Sequence, residues 1–451
     1  MKNKTDFRGE CRDATLRVSP LNDDVETKQV AQFWSFNGET RRGASLQRMA
    51  LLILFFGISL NPLKAQKRQP AKLPAAKQLA VPVAAVVARA EAQYAAYLRR
   101  YPDSTQHPRS TEPDGRIIRT NSRNWTSGFF AGNLWYLARL SGQPQWPRRA
   151  AAFTETLDAE KNVTTTHDLG FILNNSYGQG YAVTKNPQYR AVLLQAAATL
   201  ARRFNPKVGA IRSWDHHAEV WSYPVIVDNL LNLELLFAAS RLSGDTTYAH
   251  IAKTHAATDL KYRFRPDFST YHVLNFDPAT GKLLTAVTHQ GFADNSCWAR
   301  GQAWAIYGYT MVYRETRDPR FLAAAQHAAD YFLAQTAKIP DRIPYWDFNA
   351  PDIPKAPRDA SAAAAAASGL LELSKYAPPK NTYYAAATAI LASLSTPEYL
   401  AAAGTNNFFL LKHSTGNKPA NSEIDVPLVY ADYYFLEALW RYQNYAQLTL
   451  N

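Results

Sequence analysis

One seven-residue unit recurs along the chain and limits the fold more than any other feature. It reads Leu140-Ser-Gly-Gln-Pro-Gln-Trp146, Val183-Thr-Lys-Asn-Pro-Gln-Tyr189, Leu242-Ser-Gly-Asp-Thr-Thr-Tyr248 and Glu315-Thr-Arg-Asp-Pro-Arg-Phe321. Every copy follows an apolar stretch of helical period and ends on an aromatic residue. An Ala-rich helical stretch usually comes next, as in Ala323-Ala-Ala-Gln-His-Ala-Ala329. A weaker copy runs from Pro378 to Tyr384. Gly, Asn and Asp end a helix readily, and Pro is tolerated in the first turn of the next. The unit therefore predicts a helix hairpin packed together by its aromatic residue. Stacked hairpins form either an open solenoid or a closed toroid. Long loops rich in polar and aromatic residues separate the hairpins here. They favour a closed (α/α) barrel whose inner helix ends surround one pocket. The run Ala362–Ala367 suits an inner helix, because small side chains allow close approach near the barrel axis; a surface position is the plainer alternative for so good a helix former. From about residue 80 the pattern is helical throughout, with almost no strand-like alternation.

The part before residue 80 differs in kind. Met49-Ala-Leu-Leu-Ile-Leu-Phe-Phe-Gly-Ile-Ser-Leu60 is the most hydrophobic stretch of the chain and is short for a membrane span. Arg41, Arg42 and Arg48 precede it, and Leu63-Lys64-Ala65 follows it as a small-residue cleavage site. This is the pattern of a secretory signal. It predicts a leader over 1–65, a linker rich in Lys, Ala, Pro and Gln over 66–80, one domain over 81–451, and export to the periplasm. No stable membrane anchor is expected, and no Cys ends the apolar run to carry a lipid. Removing the leader takes Cys11 with it and leaves Cys297 as a lone thiol. The composition of the full chain, 47% hydrophobic and 19% charged, is that of a globular protein. The net charge of +13 is compatible with an anionic ligand and equally with ordinary solubility. There is no Lys/Arg cluster of the nucleic-acid type, so no nucleic-acid partner is expected. There is also no phosphate loop, no Gly-x-Ser-x-Gly elbow and no zinc-type His spacing. Neither a metal nor a cofactor is expected.

Three segments carry the chemistry. In Thr166-His167-Asp168-Leu169-Gly170-Phe171, Asp168 reads first as a helix cap and second as a reactive carboxylate. In Tyr223-Pro224-Val-Ile-Val-Asp228-Asn229-Leu-Leu-Asn232, Asp228 sits inside an apolar run, where ionisation is costly. A carboxyl there acquires a raised pKa and suits general-acid work, unless it is merely the cap of a helix starting at Asn229. The segment Thr288-His289-Gln290 to Trp298-Ala-Arg300-Gly-Gln-Ala-Trp304 is the densest polar and aromatic stretch. A helix starting near Ser296 puts Arg300 and Trp304 on one face. That pair can hold a carboxylate and stack a sugar ring, or Arg300 can brace a helix end. His272 is a further candidate and, alone, more often a packed histidine.

Taken together and in order, these motifs resemble glycoside hydrolase family 88, the unsaturated glucuronyl hydrolases. The resemblance runs from about Asn124 to Arg441. It includes Asn124-Trp125-Thr126-Ser127-Gly128-Phe129, the Asp168, Asp228 and Arg300 segments, Arg358-Asp359-Ala360-Ser361-Ala362 and Tyr430-Ala431-Asp432-Tyr433-Tyr434. Asp359-Ala360-Ser361 departs from a hydroxyl-richer form. The resemblance implies an all-α (α/α)6 barrel and two catalytic aspartates, Asp228 as general acid/base and Asp168 as its partner. It implies His272, Gln290, Arg300, Trp304, Trp125 and Trp214 as substrate contacts. The implied reaction releases a 4,5-unsaturated uronic acid from the non-reducing end of polysaccharide-lyase products, by hydration of the C4=C5 enol ether. Two alternatives remain at this point: an unsaturated rhamnogalacturonyl hydrolase, and a catalytically silent glycan-binding toroid.

Overall fold

The computed structural model describes residues 81–378 and 380–445; the leader over 1–65 and the linker over 66–80 lie outside them. Helix α1 (Val83–Arg100) comes first. Five inner-outer pairs follow: α2 (Ser127–Ser141) with α3 (Gln145–Glu155); a π-helix (Gly170–Gly178) running into α4 (Gln179–Thr184), with α5 (Pro187–Ala201); α6 (Asn229–Ser243) with α7 (Thr246–Arg263); α8 (Ala299–Thr316) with α9 (Pro319–Thr336); and α10 (Ala360–Leu373) with α11 (Lys380–Leu394). Helix α12 (Val429–Gln443) is last. Neighbouring inner elements pack in sequence order, and α12 packs back on α2 to close the ring, with α1 as the sixth outer helix. The result is an (α/α)6 barrel.

The repeated unit is the inner-to-outer turn in each case. Its third residue is left-handed in all four strong copies: Gly142 (φ 66°), Lys185 (φ 56°), Gly244 (φ 81°) and Arg317 (φ 55°). In three copies the next residue caps the outer helix, with Asn186, Asp245 and Asp318 accepting from the backbone N–H two residues on. The inner helices are buried nearly all round, as expected of elements enclosed on every side. Every residue of α10 is buried, its alanine run included. On α2, a Cβ at Gly132 would lie 2.4 Å from the Tyr433 ring, so glycine sets how closely α2 and α12 approach.

The outer-to-inner connections are long, and all lie at the other end of the barrel. They hold nine short strands among the described residues, where the sequence shows almost no strand signal. These are the hairpins β1 (His107–Thr111)/β2 (Ile117–Thr120) and β3 (Phe204–Asn205)/β4 (Ala210–Ile211), and the antiparallel sheet β5 (Pro224–Ile226)–β6 (Val273–Phe276)–β7 (Leu283–Val287). The last hairpin is β8 (Ser414–Asn417)/β9 (Ser422–Val426). Runs of two to five residues are too short for alternation to register. No helix among the described residues is long and apolar enough to cross a membrane.

Candidate active site

All eight residues singled out from the sequence belong to this long-loop end. Trp125, Asp168 and Asp228 each stand just before an inner element; Arg300 and Trp304 lie in the first turns of α8. Helix α8 starts at Ala299, with Trp298 as its N-cap residue, rather than near Ser296. Trp214 follows β4, His272 precedes β6 and Gln290 follows β7.

Asp228 occupies the N-cap position of α6, yet its side chain makes no capping hydrogen bond. Its Oδ1 is shielded and has no partner. Burial pushes the carboxyl up to about 7; nearby Asp168 adds to this, and Arg300 opposes it. A neutral acid at neutral pH is what a proton donor to carbon requires. His272 Nε2 lies 3.9 Å from Asp228 Oδ1, beyond hydrogen-bond range. The backbone N–H groups of His289 and Gln290 both donate to His272 Nδ1, at 3.2 Å each. The ring proton therefore sits on Nε2, which has no partner of its own. Burial, together with the positive surroundings of His289, Arg263 and Arg300, holds His272 well below the usual imidazole range. Its neutral ring turns Nε2–H toward a carboxyl poised to give or take a proton near neutral pH.

Asp168 Oδ2 accepts from Thr166 Oγ1 at 2.7 Å, and Oδ1 lies 3.3 Å from His167 Nε2. Asp168 is therefore not the cap of the following element; Leu169 holds that position.

Two positioning residues escaped the sequence reading. Asn232 Oδ1 accepts from the Phe171 N–H at 2.8 Å, and its Nδ2 donates to the Asp228 carbonyl at 3.3 Å. A Cβ at Gly170 would lie 2.6 Å from the Asn232 Cα. Asn232 thus clamps the Asp168 segment to α6; the available signal was an amide one helical turn after Asp228 in an apolar run. The second is Arg263, fully buried and paired with Asp259. It donates to the carbonyls of Tyr271 (2.8 Å), His272 (2.7 Å) and Val225 (3.1 Å), which fixes the strands beneath His272.

Arg300 and Trp304 share a face as expected, but both are deeply buried. The Arg300 guanidinium donates to Asp359 Oδ2 (2.7 Å), Ser361 Oγ (3.2 Å) and the carbonyls of Thr415 (2.6 Å) and Gly416 (2.5 Å). It lies over the Trp298 and Tyr430 rings. The fork pictured on a substrate carboxylate is thus occupied by the chain itself. Trp304 is 1% exposed and packs against Phe171 and Tyr434, which leaves no open ring face for a sugar. Its indole N–H is unpartnered. Gln290 Nε2 donates to the Gly416 carbonyl at 3.0 Å. Trp125 packs on Tyr430, and the part-exposed Trp214 stacks on His216 with an unpartnered N–H. Cys297 is a buried free thiol, and burial pushes it up to about 12. Among the described residues no group of three or more His, Cys, Asp or Glu is arranged to hold a metal.

No protein-family model matches the chain. It is 48% identical over 350 residues to an unsaturated glucuronyl hydrolase of Formosa agariphila, covering 77% of this chain and 87% of the relative. It is 34% identical to an unsaturated chondroitin disaccharide hydrolase of Streptococcus pyogenes serotype M1, over 74% of this chain and 85% of the other. Among solved structures, an unsaturated glucuronyl hydrolase specific for heparin is 46% identical with a TM-score of 0.79, covering 82% of this chain and 99% of that one. The enzyme of Bacillus sp. GL1 gives 31% and 0.73, with 80% and 95% coverage. Identity and coverage at this level, on the same barrel, mean that the chain belongs to the unsaturated glucuronyl hydrolases of glycoside hydrolase family 88.

Proposed function

We propose that the chain releases 4,5-unsaturated uronic acid from lyase-generated oligosaccharides, with Asp228 as acid and base and Asp168 as its tuning partner. The reading rests on one observation above the others: Asp228 offers a buried carboxyl with an unpartnered oxygen, and burial raises its pKa to about 7. The substrate's double bond is conjugated to its carboxylate and bonded to the ring oxygen. Asp228 gives its proton to C4, and the positive charge at C5 spreads onto that oxygen. Water adds at C5 and returns a proton to the Asp228 carboxylate. The hemiketal opens and the remaining saccharide departs. No carboxylate nucleophile is needed, so the spacing rules of ordinary glycosidases do not apply. His272 Nε2–H and the indole N–H of the part-exposed Trp214 are the unpartnered donors that would position the sugar in this reading, and the buried Trp304 and the Gly416-bound Gln290 stand behind them. The resemblance also proposes Arg300 and Trp125 as contacts. Arg300 acts in this reading through its positive field on Asp228 and by ordering the β8–β9 loop.

The test is loss of the ultraviolet absorbance of the conjugated double bond on a lyase-generated disaccharide. Asp228→Asn should lower turnover by at least about 10²-fold with the circular dichroism unchanged. A variant retaining a third of wild-type rate refutes the assignment. The acid works protonated, so wild-type kcat/KM should hold below pH 7 and fall about tenfold per unit above it.

We further propose export to the periplasm with cleavage after Ala65, on the strength of Arg41, Arg42, Arg48 and the apolar run 49–60. N-terminal sequencing of periplasmic protein should begin at Gln66. Mature protein retaining residues 49–60 overturns this.

A further inference from the structure

An open cleft of about 560 Å³ lies on the long-loop rim, lined by Gln106, Arg119, Thr120, Asn121, Arg123 and Asn124. None of the residues discussed above for the reaction lines it. It lies at the same end of the barrel as the site, and its lining residue Asn124 directly precedes Trp125 in the chain. The β1–β2 hairpin forms its wall, with Gln106 just before β1 and Asn121 just after β2.

Its lining is polar and rich in donors, with no carboxylate. The Arg123 guanidinium is exposed, and among the described residues no hydrogen bond or ion pair holds it. Arg119 is exposed too; among the described residues it makes no ion pair, and it is steadied by the Tyr101 ring, 4.7 Å from its Cζ, with Asp103 in its field. Asn121 Oδ1 accepts from the Arg123 N–H at 3.1 Å, and Asn124 Oδ1 from Thr126 N and Oγ1 at 3.0 and 2.7 Å. These bonds use the amide oxygens and leave the NH2 groups as the donors of Asn121 and Asn124. Thr120 Oγ1 is shielded and has no partner. Glu160 is nearby, hydrogen-bonded by Ser122 at 2.6 Å, but it is buried and outside the lining. Two guanidiniums and two amides lining one cleft without an acid suit a group with several negatively charged oxygens.

We propose that this cleft is a distal subsite for a sulfate ester or carboxylate on a saccharide unit beyond the unsaturated one. It rests on the hydrolase reading above and makes the enzyme selective for longer anionic oligosaccharides. The unsaturated ring enters the pocket at Asp228, the chain passes Trp125, and a later anionic unit meets Arg119 and Arg123.

The test compares wild type with the double variant Arg119→Gln/Arg123→Gln, exposed positions where the fold survives and circular dichroism checks it. The ratio of kcat/KM on a sulfated unsaturated tetrasaccharide to that on the matching disaccharide should fall at least tenfold. A ratio kept within twofold overturns the subsite. Calorimetry with a saturated sulfated tetrasaccharide needs no hydrolysis, and the variant should bind it at least tenfold more weakly. If the wild type hydrolyses neither substrate, the hydrolase reading fails and this titration still decides the cleft. Equal binding by both proteins, or inorganic sulfate titrating as tightly as the tetrasaccharide, overturns the proposal.

Discussion

Asp228 and Arg300 show how far a residue's surroundings fix its chemistry. Asp228 keeps the raised pKa anticipated from its apolar run, and for the anticipated reason, since burial is the largest cause. Arg300 behaves otherwise. Its helix face and its pairing with aromatic rings follow from sequence spacing; its partner Asp359, 59 positions away, does not. With the guanidinium 2% exposed and Asp359 fully buried, Arg300→Ala leaves a carboxylate without its cation in the barrel. The expected cost is about 3–5 kcal/mol. Arg300→Lys keeps the charge but not the fork, and should recover only part of it. Melting temperature and KM measured on one preparation separate the roles. A variant with wild-type melting and a tenfold higher KM returns Arg300 to direct substrate binding.

At the scale of elements, the inner-to-outer turns and the π-helix behave differently. The turns are local: one left-handed residue ends a helix, and a capping Asn or Asp starts the next. Gly244 has φ 81°, and a Cβ there would meet nothing within 4 Å. Gly244→Ala therefore changes backbone strain alone and should cost about 1–2 kcal/mol. Urea unfolding should show the midpoint shift at an unchanged slope; a shift of nothing, or of much more, contradicts this reading of the unit. The π-helix is not local. It begins two residues after Asp168, and Asn232 of α6 accepts from its first-turn Phe171 N–H, which has no partner within the helix. Such helices often mark functional sites, and their apolar pattern cannot be told from an α-helix.

For the whole molecule, ring closure is the decisive step. Tyr433 sits at the seam, with its ring 5.3 Å from those of Phe129 and Tyr136, and its hydroxyl 3.1 Å from Asn175 Oδ1 and 3.3 Å from Gln179 Nε2. It joins α12 to α2 and to the π-helix that leads from Asp168. Tyr433→Ala should cost about 3–5 kcal/mol in chemical denaturation and lower kcat as well, because the seam supports the site. Loss of less than 1 kcal/mol means the barrel closes without it. Beneath the site, Arg314 and Arg441 join Glu234, Glu372 and Glu437 across α6, α8, α10 and α12. Such a web holds only with every member in place.

The sequence by itself determined the helix hairpins, the aromatic residue that ends each turn, the alanine-rich helix and the place of Asp228 inside an apolar run, because each depends on residues within one or two turns of each other. The ordered motifs around Asp168, Asp228 and Arg300 identified the family for the same reason. Only the tertiary structure decided the short strands, the Asp359 partner of Arg300, the covered ring of Trp304, the tautomer of His272 and the clamps at Asn232 and Arg263. Each of these is a contact between loops or helices far apart in the chain, and local periodicity carries no record of which distant group will fill a donor or cover a ring.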